Sequence, residues 1–181
     1  MKELFLILVA LINTDTDKEN IFYTPKLNWS HFTPIKASPF IHYLACTSSG
    51  IFYYWNGDKT IDVYCTFNTT DSRVVEGQKT KETLNHEQRH LDLSYLYALK
   101  LVKELRDCQP QSDREAEQVY WRINKELDEV QDDYDIEARC KQPQWDKKID
   151  SLISLYKPYG EPLKKDLAKA SKKPINTLNG V

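Results

Sequence analysis

At 181 residues, 40% of them hydrophobic and 12% aromatic, the chain is the size of one domain and carries enough apolar surface to offset its conformational entropy, which excludes a disordered, collagen-like or low-complexity protein. With 25 basic and 27 acidic side chains and a formal net charge of −2, it has no global field that would favour a nucleic acid or a membrane surface as partner.

Met1-Lys2 supplies a positive charge, Leu4 to Ile12 is an unbroken apolar run, and a polar stretch, Asn13 to Asn20, follows. This is the order and size of a secretory signal peptide, well short of the ~20 residues a spanning helix needs. Residues 1–14 are therefore read as a signal peptide and the protein as secreted or periplasmic; a buried N-terminal strand is the other reading of the run. No small-x-small pair precedes Thr14 to mark a cleavage site. Export makes Cys46, Cys65, Cys108 and Cys140 disulfide candidates, with their connectivity open. Asn28-Trp29-Ser30 and Asn68-Thr69-Thr70 match the glycosylation sequon, which matters only in a eukaryotic secretory route.

Residues 21–70 read as β-structure. Ile51 to Trp55 and Ile61 to Phe67 are strand-like runs around Asn56-Gly57-Asp58-Lys59, and in the second Ile61, Val63, Cys65 and Phe67 alternate with polar or amphipathic residues. That predicts a hairpin. Ile41 to Cys46 predicts a third strand, approached through Pro25, Pro34 and Pro39. After Asp71 the period turns helical: Leu84, Leu91, Ser94, Ala98, Leu101, Val102 and Leu105 predict one helix from about Thr80 to Asp107, closed by Cys108-Gln109-Pro110. A second, about Asp113 to Gln131, buries Ala116, Val119, Tyr120, Ile123, Leu127 and Val130. A third, about Gln142 to Leu155, carries Trp145, Ile149, Leu152 and Ile153. Strands first and helices afterwards predict an α+β fold, an antiparallel sheet followed by three packed helices. The Lys-rich end, Lys164 to Lys173, has no interleaved aromatics and reads as part of a solvated tail over 161–181.

Within the first helix stands His86-Glu87-Gln88-Arg89-His90. Residues 86 and 90 lie on one face, one turn apart, so two imidazoles can reach one ion without strain. Zinc gives the spacing a purpose: it brings the pKa of bound water to about 7 and polarises a carbonyl, while Glu87 can take the proton and deliver it to a leaving amine. The plain reading is a solvated helix face, which Gln88 and Arg89 favour; Leu84, Leu91 and Ser94 instead place His86, Glu87 and His90 beside the apolar stripe. A catalytic zinc wants three protein ligands. His31 and His42 are distant candidates, Glu104 points away by rotation, and Asp132 to Cys140, between the second and third helices, offers Asp135, Glu137 and Cys140.

Leu27 to Phe32, Ala45 to Ile51, His86 to Tyr97, Tyr134 to Glu137 and Gln144-Trp145, in that order, resemble a bacterial family of predicted secreted zinc-dependent proteases, long classed as a domain of unknown function. The resemblance covers about residues 21–155. It implies an exported protein with a single metallopeptidase-like domain over 21–160, a zincin-like active-site helix, and presumed proteolysis of a peptide or protein substrate. By position it makes His86 and His90 zinc ligands and Glu87 the catalytic base. The family's Tyr-Asp segment ends in a histidine where this chain has Cys140. A thiolate can ligate zinc, so His86, His90 and Cys140 form one expected metal set; the other expectations pair Cys140 with Cys108 in a disulfide or give it neither role, with Glu137 or Asp135 then next in line as ligand. Asp92 is a candidate to orient His86 or His90 through the second ring nitrogen, or to face solvent, and Tyr134 a candidate to stabilise the oxyanion.

The leading expectation is a secreted zinc metallopeptidase, with the hairpin edge as a place for an extended substrate to add a strand. A catalytically inactive relative serving as a binding or structural module of the cell envelope is the alternative, favoured by the altered third position. A zinc hydrolase of a non-peptide amide is the third.

Overall fold

The computed structural model describes residues 20–164, so the N-terminal run read as a signal peptide and the tail past Lys164 lie outside the described residues. The α+β class holds: the described residues form two sheets of three strands and two α-helices. The strands are β1 (Asn20–Phe22), β2 (Thr33–Ile35), β3 (Ala45–Cys46), β4 (Ser49–Trp55), β5 (Ile61–Asn68) and β6 (Arg73–Val75). The expected hairpin is β4–β5, antiparallel from Ser49↔Phe67 to Trp55↔Ile61, and β1 adds on the far side of β5. Its turn works as the residues require: Gly57 takes φ +83°, and Asp58 Oδ1 accepts the Thr60 N–H at 2.9 Å.

The second sheet, in the order β2-β6-β3, departs from the antiparallel expectation, because β2 and β6 pair in parallel, Thr33 opposite Arg73. Their connection carries β3, β4 and β5, far more than the dozen or so residues a parallel pairing needs. The third predicted strand is reduced to Ala45–Cys46.

Helix α1 (Lys81–Cys108) starts where the Thr80 side chain caps it by accepting the Thr83 N–H at 3.1 Å. It is more deeply placed than a one-sided stripe implies. Every residue from Leu91 to Leu99 is buried, since the helix lies between β4 and β5 on one side and the second helix on the other.

Helix α2 (Asp113–Tyr156) replaces the second and third predicted helices, so among the described residues two are counted where three were expected. The stretch Asp132 to Cys140, read as a connection, is helical, and the break shrinks to Lys141 (φ −129°, ψ 25°). Pro143 explains it: it has no N–H to donate and its ring clashes with the carbonyl of residue 139. The two arms run in opposite directions along α1. In the first, Gln131 meets His90 and Asp135 meets His86. In the second, Asp146 and Asp150 meet Arg89, Tyr156 faces Lys100, and the Tyr159 carbonyl beyond the helix accepts from Arg106 at 3.2 Å.

All four cysteines are free. The Cys108–Cys140 disulfide is ruled out by distance: at about 1.5 Å per residue the first arm carries Cys140 roughly 40 Å beyond Asp113, whereas a disulfide needs Cα atoms within about 7 Å. Among the described residues no helix is long and apolar enough to cross a membrane.

Leu99 is fully buried in α1. Leu99→Ala should cost about 2–5 kcal/mol of stability through lost transfer energy and a residual cavity, read as a lowered urea midpoint.

Candidate metal centre

The short connection Gln109–Ser112 builds this site. Gln109 closes α1 in the left-handed region (φ 45°), its N–H bonded to the Leu105 carbonyl, and Ser112 caps α2. The two helices therefore pair almost residue for residue. His90 and Gln131 each lie 18 residues from the facing helix ends, and His86 and Asp135 each lie 22.

This register brings His86 Nε2, His90 Nε2 and Asp135 Oδ1 together. His86 Nε2 is 3.2 Å and His90 Nε2 is 3.0 Å from Asp135 Oδ1, and the two nitrogens are 3.2 Å apart. Two ligands about 2.05 Å from a tetrahedral ion stand roughly 3.3 Å apart, so the donor triangle has the dimensions of one face of such a site. Among the described residues, these three form the group able to hold a metal ion. The structure thus brings Asp135, and not Cys140, to the two histidines: five residues further along the helix Cys140 faces about 140° away, and it is exposed.

Glu87 is 2% exposed and its Oε2 has no hydrogen-bond partner among the described residues. Burial pushes its carboxyl pKa up, against the opposing pull of His90, Thr47 and His86. When the imidazoles are protonated, hydrogen bonds from His86 and His90 hold Asp135 well below the usual carboxylate range. Burial would lower His90, but Asp135, Gln131 and Glu87 outweigh it and raise it.

The group opens on a cleft of about 810 Å³. One wall is the chain from His42 to Thr47 with Ser49 and Gly50; α1 supplies Glu82 and Thr83, and α2 supplies Leu127, Asp128 and Arg139. Thr47 ties that wall to the helix by donating to the Glu87 carbonyl at 3.1 Å. Compared with known protein families, curated proteins and solved structures, the chain matches none.

The remaining sequence candidates take structural places. Asp92 touches neither histidine: it accepts from Tyr23 at 3.1 Å, Gln88 at 2.8 Å and Arg89 at 2.9 Å, which ties the segment after β1 to the back of α1. Gln88 accepts the Leu27 N–H at 2.6 Å and donates to the Thr24 carbonyl at 3.1 Å, so Gln88 and Arg89 are not the solvated face they suggested. Tyr134 is fully buried, its ring stacked on His86 and edge-on to His90 with centroids 4.9 Å away in both cases, and its hydroxyl bonded to Gln142. That hydroxyl is directed to Gln142 and the His86 carbonyl, and Tyr134 is not among the residues lining the cleft, so the structure gives it no place facing an oxyanion. Glu137 accepts from Trp145 at 3.3 Å and pairs with Lys141. His31 binds Asn28 on the surface, His42 lines the cleft without joining the donors, and Glu104 pairs with Arg122.

Sequence reasoning missed Gln131, whose Oε1 lies 2.5 Å from His90 Nδ1. Its signal was a polar residue on the same α2 face as Leu127, Tyr134 and Ala138, all buried.

Asp135→Ala should weaken divalent transition-metal binding by more than the roughly 10–100-fold typical of outer partners, while Cys140→Ser leaves it unchanged. Competition against a chelating dye measures both.

Proposed function

We propose that the protein is an exported zinc-dependent hydrolase of peptide bonds, in which His86, His90 and Asp135 hold zinc and Glu87 is the general base. The observation that carries this reading is Glu87 itself. A carboxylate 2% exposed with an unpartnered oxygen is costly to keep in a fold, and this one stands beside three convergent donors on the wall of a cleft. Two histidines and a carboxylate suit zinc or iron(II) alike. The buried glutamate directly after the first histidine favours hydrolysis, where a proton must be taken up and returned.

Zinc, when bound, supplies Lewis acidity that acidifies water and polarises a carbonyl. The chain's part follows from its atoms. Glu87 Oε2, unpartnered and dry, would accept the proton of the attacking water and pass it on to the leaving amine. Tyr134, packed against both imidazole rings, holds them in place from behind. An extended peptide fits beside Ala45–Cys46, an edge strand on the cleft wall; the edge of β4 is a poorer place, since its Ile51 carbonyl already accepts the Tyr120 hydroxyl at 3.2 Å. The inactive-module reading loses its main support once Asp135 takes the third position, and it offers no interaction to offset the burial of Glu87.

Glu87→Gln should keep zinc, by elemental analysis, and lose about 10²–10⁴-fold in turnover of a fluorogenic peptide library. Unchanged turnover in a zinc-loaded variant would remove Glu87 from the chemistry.

A further inference from the structure

We propose that Gln131 is the positioning residue that fixes His90 as a ligand through Nε2, an inference that rests on the metal-site reading above. The His90 carbonyl can only accept, and the nearest atom of the Gln131 side chain lies 3.0 Å from it, so the amide end facing that carbonyl is the NH2. The other end, Oε1, then faces His90 Nδ1 at 2.5 Å and requires a hydrogen there. In a neutral imidazole this leaves Nε2 as a bare lone pair. Nε2 is the atom directed at Asp135 Oδ1 and His86 Nε2.

The alternative tautomer would be well satisfied without Gln131. A hydrogen on Nε2 would point at Asp135 Oδ1, 3.0 Å away, closing the site with an ordinary hydrogen bond where the ion belongs. Gln131 opposes that collapse, and it is held in turn. Its NH2 also reaches Ser94 Oγ at 3.4 Å, and Ser94 Oγ is 2.7 Å from Ser49 Oγ on β4. The chain Ser49, Ser94, Gln131, His90 thus runs from the sheet through α1 and α2 to the donor group. Partners of this kind fix ligand orientation and are worth about 10–100-fold in metal affinity.

Two measurements decide it. In 15N-labelled, metal-free wild type at alkaline pH, where the imidazole is neutral, long-range 1H–15N spectra should place the His90 hydrogen on Nδ1; a hydrogen on Nε2 overturns the proposal. Zinc affinity by chelator competition should fall about 10–100-fold in Gln131→Met, which keeps length and removes the acceptor. Gln131→Glu, which keeps an acceptor for Nδ1–H and loses the bond to the His90 carbonyl, should recover most of that loss. Wild-type affinity in a folded Gln131→Met overturns the proposal; if that variant does not fold, the wild-type spectrum and the Glu variant decide. A wild type that takes up no zinc yet carries the His90 hydrogen on Nδ1 removes the zinc reading and leaves the role of Gln131 in setting the tautomer intact.

Discussion

Four residues, Gln109 to Ser112, join the two long helices, and so short a connection leaves little choice of register. With Gln109 in the left-handed region and Ser112 capping the next helix, Asp135 must come opposite His86 and Gln131 opposite His90. Everything that makes the site more than two histidines follows from that pairing. The sheets add the other wall, and β4 and β5 keep α1 buried so that Glu87 stays dry.

The cost of this arrangement is local. Three atoms that accept protons, at 3.0–3.2 Å from one another, repel unless a proton or a cation lies among them. The unpartnered Glu87 oxygen adds to that strain. Around it the structure is heavily satisfied: Arg89 is shared by Asp92, Asp146 and Asp150, and Gln88 and Asp92 hold the segment from Tyr23 to Leu27 against the helix. A rigid frame around an electrostatically unsatisfied centre is the usual economy of a functional site.

The parts legible in the sequence were those with local signals. The Asn56-Gly57 hairpin and the limits of α1 came from turn residues and helical period, and the pairing of His86 with His90 from their spacing alone. Which residue of Asp135, Glu137 and Cys140 meets the two histidines was not legible, because it depends on which residues of α2 face α1, a non-local fact that Pro143 disguised. It made Asp132 to Cys140 look like a connection, and in a connection Cys140 is as reachable as Asp135; on a continuous helix the two point apart. Asp92 was misread for a related reason. Two and six residues from the motif histidines it looked like their orienting group, but its face of α1 turns to Tyr23. The parallel pairing of β2 with β6 left no local trace, since strand direction is set by the path between them.

The central claim is the identity of the three donors. Zinc K-edge X-ray absorption on the reconstituted full chain tests it most directly. The account predicts a nitrogen and oxygen shell at about 2.0–2.1 Å, with outer-shell scattering from two imidazoles and no sulfur. A sulfur shell at about 2.3 Å, the distance of a cysteine thiolate, would contradict it and return Cys140 to the site.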